Sequence, residues 1–168
     1  MSAQKPVHEI LKHVSWLLGR WRAESALCHY PTMKSDVNYV EDLDIGSSGA
    51  PNFSYTSDTY HAETKKPMHR ELGFVRVDPQ KPNHVALVLS HINGLAEVEE
   101  GEANVDAKEL SLTSHTIARM TFGKEPACTK ITRRFRLIDE NTLEQVVHMA
   151  TAATALTEHL RAVYKRRV

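Results

Sequence analysis

The chain has 168 residues, a length that fits one domain and leaves little room for a second. With 41% apolar and 25% charged residues, its composition is that of a globular protein and excludes a disordered or fibrous one. Lys plus Arg number 21 and Asp plus Glu number 21, and that balance excludes the basic surplus of a general nucleic-acid or anionic-membrane binder.

Residues 7–18 read as an amphipathic helix. Val7, Ile10, Leu11, Val14, Leu17 and Leu18 recur at helical spacing, Pro6 suits the first turn, and Gly19 offers a stop. From Trp21 onward the period changes to two. Runs at 37–45, 52–60, 70–77, 84–92, 94–102, 109–115, 116–122, 130–138, 143–152 and 157–166 read as strands, because β-branched and aromatic residues alternate with polar ones. Turn chemistry separates them at Gly46 to Pro51, Glu63 to Pro67, Asp78 to Asn83, Asn104 to Lys108, Gly123 to Pro126 and Asp139 to Asn141. About ten strands in meander order predict an all-β fold: an antiparallel up-and-down barrel with a short N-terminal helix. A barrel of that size is wide enough to hold a ligand. No internal repeat, linker or domain boundary interrupts residues 1–168.

No apolar run approaches the roughly 20 residues of a membrane span. Charges interrupt residues 1–13, which argues against a secretory signal. The sequon at Asn52, Phe53 and Ser54 is then expected to stay unglycosylated. Cys28 and Cys128 are too few for a disulfide framework. The expected setting is a reducing compartment: the cytoplasm, with the nucleus as an alternative.

Ten histidines are the unusual feature, and histidine in number raises the question of zinc. His8 and His13 flank Glu9, but a five-residue step leaves the two rings about 140° apart on a helix, too far round to share an ion. Cys28 and His29 are adjacent without a second pair. No nucleophile elbow, dinucleotide fingerprint or phosphate loop is present. The acidic run Glu97, Glu99, Glu100 and Glu102 reads as an exposed strand and its turn, and Lys165, Arg166 and Arg167 as a solvated tail. On the 157–166 strand, alternation puts His159, Arg161 and Val163 on one face and Leu160, Ala162 and Tyr164 on the other. On the strand before it, Leu143, Gln145, Val147 and Met149 share a face. If that face lines the barrel, Met149 lies in the cavity. Met68 and His69 place a thioether and an imidazole at the mouth of another strand. Taken singly, each has a bland reading: a hydrogen-bonded surface histidine, or a methionine filling a core.

Together, a set of segments resembles the nitrobindins. They are Ser15 to Trp21, Tyr30-Pro31-Thr32, Lys66 to Glu71 with Gly73 and Phe74, Glu97 to Glu102, Ser114 to Arg119, Lys124-Glu125-Pro126, Ile131 to Leu137, and Thr157 to Lys165. They occur in the family's order from about residue 10 onward. The likeness is to the animal branch, in which such a barrel follows a THAP zinc finger; that finger has no counterpart here, so DNA binding is not carried over. One motif departs: Gly19-Arg20-Trp21 opens the family's glycine-rich pattern, but Ala23 and Ser25 follow, which reads as altered packing at a barrel end.

The resemblance implies a barrel shaped like fatty-acid-binding proteins and lipocalins, holding haem b with ferric iron. It implies His159 as the axial iron ligand, with Thr32, Met68, His69 and Met149 also lining the haem pocket. It implies nitric oxide and peroxynitrite as ligands, with isomerisation of peroxynitrite to nitrate and no general acid or base beyond the haem iron. Two other readings share the same barrel: a non-catalytic nitric oxide sensor, and a carrier of a fatty acid or other apolar ligand. No nucleic-acid or membrane partner is expected, and a homodimer through an exposed strand or loop is left open.

Overall fold

The structure, a computed structural model, describes residues 5–168. The N-terminal apolar pattern forms one helix, Glu9–Leu17, wound as 3₁₀. Side chains three residues apart eclipse in that winding, so Leu11, Val14 and Leu17 form a single buried row. The predicted span of 7–18 therefore loses its outer residues, and the α spacing tightens to a period of three.

Ten strands follow: β1 (Gly19–Cys28), β2 (Val37–Ser47), β3 (Phe53–His61), β4 (Pro67–Asp78), β5 (Lys81–His91), β6 (Leu95–Asn104), β7 (Glu109–Arg119), β8 (Cys128–Asp139), β9 (Thr142–Thr151) and β10 (Thr154–Arg167). Each pairs antiparallel with its chain neighbours, and β10 returns to pair with β1, so the sheet closes on itself. A closed ring leaves no strand edge to aggregate. The all-β, ten-stranded up-and-down barrel is as expected, but two strand assignments differ. The run at 19–28 is a strand, and the runs at 109–115 and 116–122 are one strand ending at Arg119.

Strand alternation fills the interior. Phe53, Tyr55 and Ser57 on β3 point inward, as do Val85, Leu87 and Leu89 on β5. At Gly73 the chains approach so closely that a Cβ would strike the Val88 carbonyl of the neighbouring strand. The helix caps one end of the barrel. There the buried Trp21 indole N–H donates to the Leu17 carbonyl at 2.9 Å, and the Arg166 guanidinium lies 4.0 Å from the ring centroid. The opposite end stays open.

Candidate functional site

A cavity of about 320 Å³ opens at the uncapped end, between the last residues of β1, β3, β5 and β9 and the first of β4, β6, β8 and β10. His159, Met68, His69 and Met149 all line it. Thr32 is exposed and sits on an adjoining recess of about 370 Å³; Asn93, Leu95, Cys128 and Met149 belong to both spaces. The structure thus brings four of the five sequence-predicted residues together and sets Thr32 beside them.

His159 reaches the cavity through a β-bulge. Pairing with β9 shifts register between Glu158, opposite His148, and Leu160, opposite Val147. A bulge inserts one residue and re-aims side chains, so His159 and Leu160 both line the cavity while Arg161 points outward. The alternation that put His159 on the face of Arg161 and Val163 is corrected by that extra residue.

The ring of His159 is held from several sides. Its Nδ1–H donates to the His29 carbonyl at 3.0 Å. Tyr30 packs edge-on, with centroids 5.2 Å apart, and its hydroxyl donates to the Met149 carbonyl at 3.1 Å. The His29 ring is itself pinned, its Nε2 2.8 Å from Glu158 Oε2. Burial pushes the His159 pKa below its ordinary value, outweighing the bond to the His29 carbonyl. The imidazole is therefore neutral at physiological pH, and with Nδ1 committed its lone pair is on Nε2.

Below the mouth lies a charged floor that includes two carboxylates expected from the sequence on an exposed strand. Glu97 and Glu99 are 2% and 0% exposed; only Glu100 and Glu102 of the acidic run face outward. Arg133 on β8 gathers the inner carboxylates. Its Nε lies 3.1 Å from Glu99 Oε1, Nη1 lies 3.3 Å from Glu71 Oε2, and Nη2 lies 3.7 Å from Glu97 Oε1. Burial raises the pKa of Glu71, but Arg133 above all, with His69 and His91, overcomes this and holds it well below the carboxylate range. Burial wins at Glu99, pushed up to about 8 despite Arg133, and at Glu41, pushed up to about 7 despite a hydroxyl bond from Ser57. His91 and Arg133 were the residues sequence reasoning missed. The available signal was the period of two: it places Arg133 and Phe135 on one face, and His91 with Leu89.

The site suits haem on its donor chemistry. A neutral imidazole with one committed nitrogen is the usual axial donor to haem iron. The cavity around it is mainly apolar, with Met68, Met149, Leu160, Ile131 and Val147 in its wall, which suits a porphyrin face. The adjoining recess extends that space toward solvent.

Comparison with known proteins agrees. Residues 10–166 match the family model described as "THAP4-like, heme-binding beta-barrel domain". A human protein named Peroxynitrite isomerase THAP4 is 42% identical over 161 residues, covering 95% of this chain and 27% of the human one, so the chain spans about a quarter of that relative. A protein from Arabidopsis thaliana named Peroxynitrite isomerase Rv2717c is 35% identical over 158 residues, covering 94% of this chain and 89% of the relative. The crystal structure of Rv2717c from M. tuberculosis superposes with a TM-score of 0.87 at 29% identity, covering 97% of this chain and all of that one. With the family match spanning helix and barrel alike, and a neutral imidazole at the open end, this chain belongs to the THAP4-like haem-binding β-barrel family.

Proposed function

We propose that this chain binds ferric haem b through His159 and isomerises peroxynitrite to nitrate, with nitric oxide as a second ligand of the same iron. The observation that carries this reading is the committed Nδ1 of His159, which leaves a neutral Nε2 donor at an apolar, half-open cavity. The names of the human and Arabidopsis relatives support the reaction. His159 would hold the haem, and the bound ferric group would supply Lewis acidity toward the peroxynitrite anion.

The protein's own tasks are narrower. His159 supplies the donor, and the His29 carbonyl fixes its tautomer and ring plane. Tyr30 ties that ring to β9. Met68, His69 and Met149 supply walls of the pocket, and Thr32 the rim. The reaction moves no net proton, so no side chain is assigned as general acid or base.

Haemin titration of wild type and His159→Ala tests the reading. Wild type is expected to take up one equivalent with a five-coordinate ferric spectrum, and the variant to lose that spectrum. Haem-loaded wild type should convert added peroxynitrite to nitrate in a yield that the variant does not match. Haem uptake without extra nitrate would favour a nitric oxide sensor. Unchanged haem uptake by the variant would remove His159 as the ligand.

A further inference from the structure

Three side chains at the boundary of mouth and floor are not used by the proposed haem chemistry as a group. His69 and Glu71 are two residues apart on β4, which puts them on one face of the strand. His91 on β5 sits directly opposite Glu71 in the ladder. The pleat and the register therefore converge two imidazoles and one carboxylate into the cavity wall.

Their donor atoms form a near-equilateral triangle. His69 Nε2 is 3.0 Å from His91 Nδ1 and 3.5 Å from Glu71 Oε1, and His91 Nδ1 is 3.4 Å from Glu71 Oε1. A metal–ligand distance of about 2.1 Å at tetrahedral angles requires neighbouring donors about 3.4 Å apart. The triangle thus has the dimensions of three adjacent ligands around one ion, without movement of the backbone.

The surroundings fit a cation. His91 Nε2 lies 2.7 Å from Glu97 Oε1, the carboxylate–histidine arrangement that fixes a ligand's tautomer and leaves Nδ1 facing the site. The other oxygen of Glu97, with its side chain 0% exposed, has no hydrogen-bond partner among the described residues. Glu71 and Glu97 share a single guanidinium, that of Arg133. Arg133 Nη1 and the Tyr55 hydroxyl attend Glu71 Oε2, at 3.3 and 3.4 Å, while Oε1 faces the histidines and accepts a longer bond, 3.5 Å, from Arg133 Nη2. His69 is half-buried and lines the cavity, so an ion can enter from the open end.

We infer that His69, Glu71 and His91 form a binding site for one divalent transition-metal ion, distinct from His159 and open toward the same cavity. Two imidazoles and a carboxylate on one side of an ion suit Fe(II), Co(II) or Zn(II), whereas Mg(II) and Ca(II) prefer all-oxygen shells. Binding replaces the hydrogen bond between the two rings, and His69 shifts to the tautomer with its proton on Nδ1, which frees Nε2 for the ion.

Co(II) titration of the full chain, haem-free and haem-loaded, tests the site. The expected result is one equivalent bound with a visible ligand-field spectrum, displaced by Zn(II), and an anomalous-scattering peak within the triangle. His69→Ala, Glu71→Gln and His91→Gln should each weaken Co(II) by at least about 100-fold. His69→Ala alters a half-exposed side chain and keeps the test meaningful should a buried variant fail to fold. His159→Ala should leave Co(II) affinity unchanged, and His91→Gln should keep haem uptake, so this site and the haem reading stand or fall separately. No stoichiometric Co(II) in wild type would overturn the site. So would undiminished affinity in His69→Ala, or a peak on the outer face of β6, where Glu100 lies 2.7 Å from His84 Nε2 and 2.9 Å from His115 Nε2.

Discussion

Glu41 on β2 is a buried carboxyl inside the barrel with one close donor, the Ser57 hydroxyl at 2.7 Å. Burial pushes its pKa to about 7, from an ordinary 4.5. A carboxyl whose folded pKa is raised contributes fully to stability below the unfolded value, and that contribution is lost as pH climbs through the folded value. Glu99, pushed up to about 8, acts in the same direction. Glu41→Gln keeps an acceptor for Ser57 and removes the ionisation. It should raise unfolding free energy by up to about 3 kcal/mol at pH 8 and by little at pH 5; urea denaturation at the two pH values measures this. Equal gains at both would show that Glu41 does not ionise within that window. At the residue scale the inner position of Glu97 and Glu99 was open to the sequence, since a period of two sorts Glu97 and Glu99 from Glu100 and Glu102. What hid it was the partner: Arg133 lies 34 residues beyond Glu99, and an acidic run without a visible counter-charge reads as solvated.

Irregularities decide most at the level of the strand. β10 aims His159 inward only because an extra residue interrupts its pairing with β9. Deleting Glu158 removes the bulge and puts His159 in the outward position opposite His148. The prediction is loss of haemin binding with an unchanged far-ultraviolet circular dichroism spectrum; retained binding would show that the bulge does not set the ligand's direction. Bulges also account for the strand assignments that sequence patterning missed. β1 shifts register between Ala23 and Ala26, where Glu24 and Ser25 are both exposed, so its alternation fails midway. β7 shifts opposite Val98 and Glu99, between Ser114 and Thr116, where one strand looks like two. Regular β3, with no break against β2, was legible almost to the residue.

Across the whole molecule, Arg133 ties distant parts of the wall together. From β8 it reaches Glu71 on β4, Glu97 and Glu99 on β6, the Tyr55 hydroxyl on β3 at 3.4 Å and Gln145 on β9 at 3.3 Å. Removing one member of a buried ionic cluster leaves charge uncompensated, at a cost of about 3–5 kcal/mol. Arg133→Met should lower stability by that amount at pH 7, and Arg133→Met combined with Glu71→Gln should recover part of it. Chemical denaturation of the single and double variants measures both, and no recovery would mean that Arg133 acts by packing alone. The ring itself has a consequence for biosynthesis. The strand that zips the first to the last, across some 130 residues of intervening chain, also delivers the imidazole. A polypeptide still on the ribosome and stalled before β10 has neither a sealed wall nor the imidazole of His159. On the role proposed for His159, prosthetic-group capture is deferred until translation has passed the final strand, and a product truncated before β10 should fail to sequester the pigment.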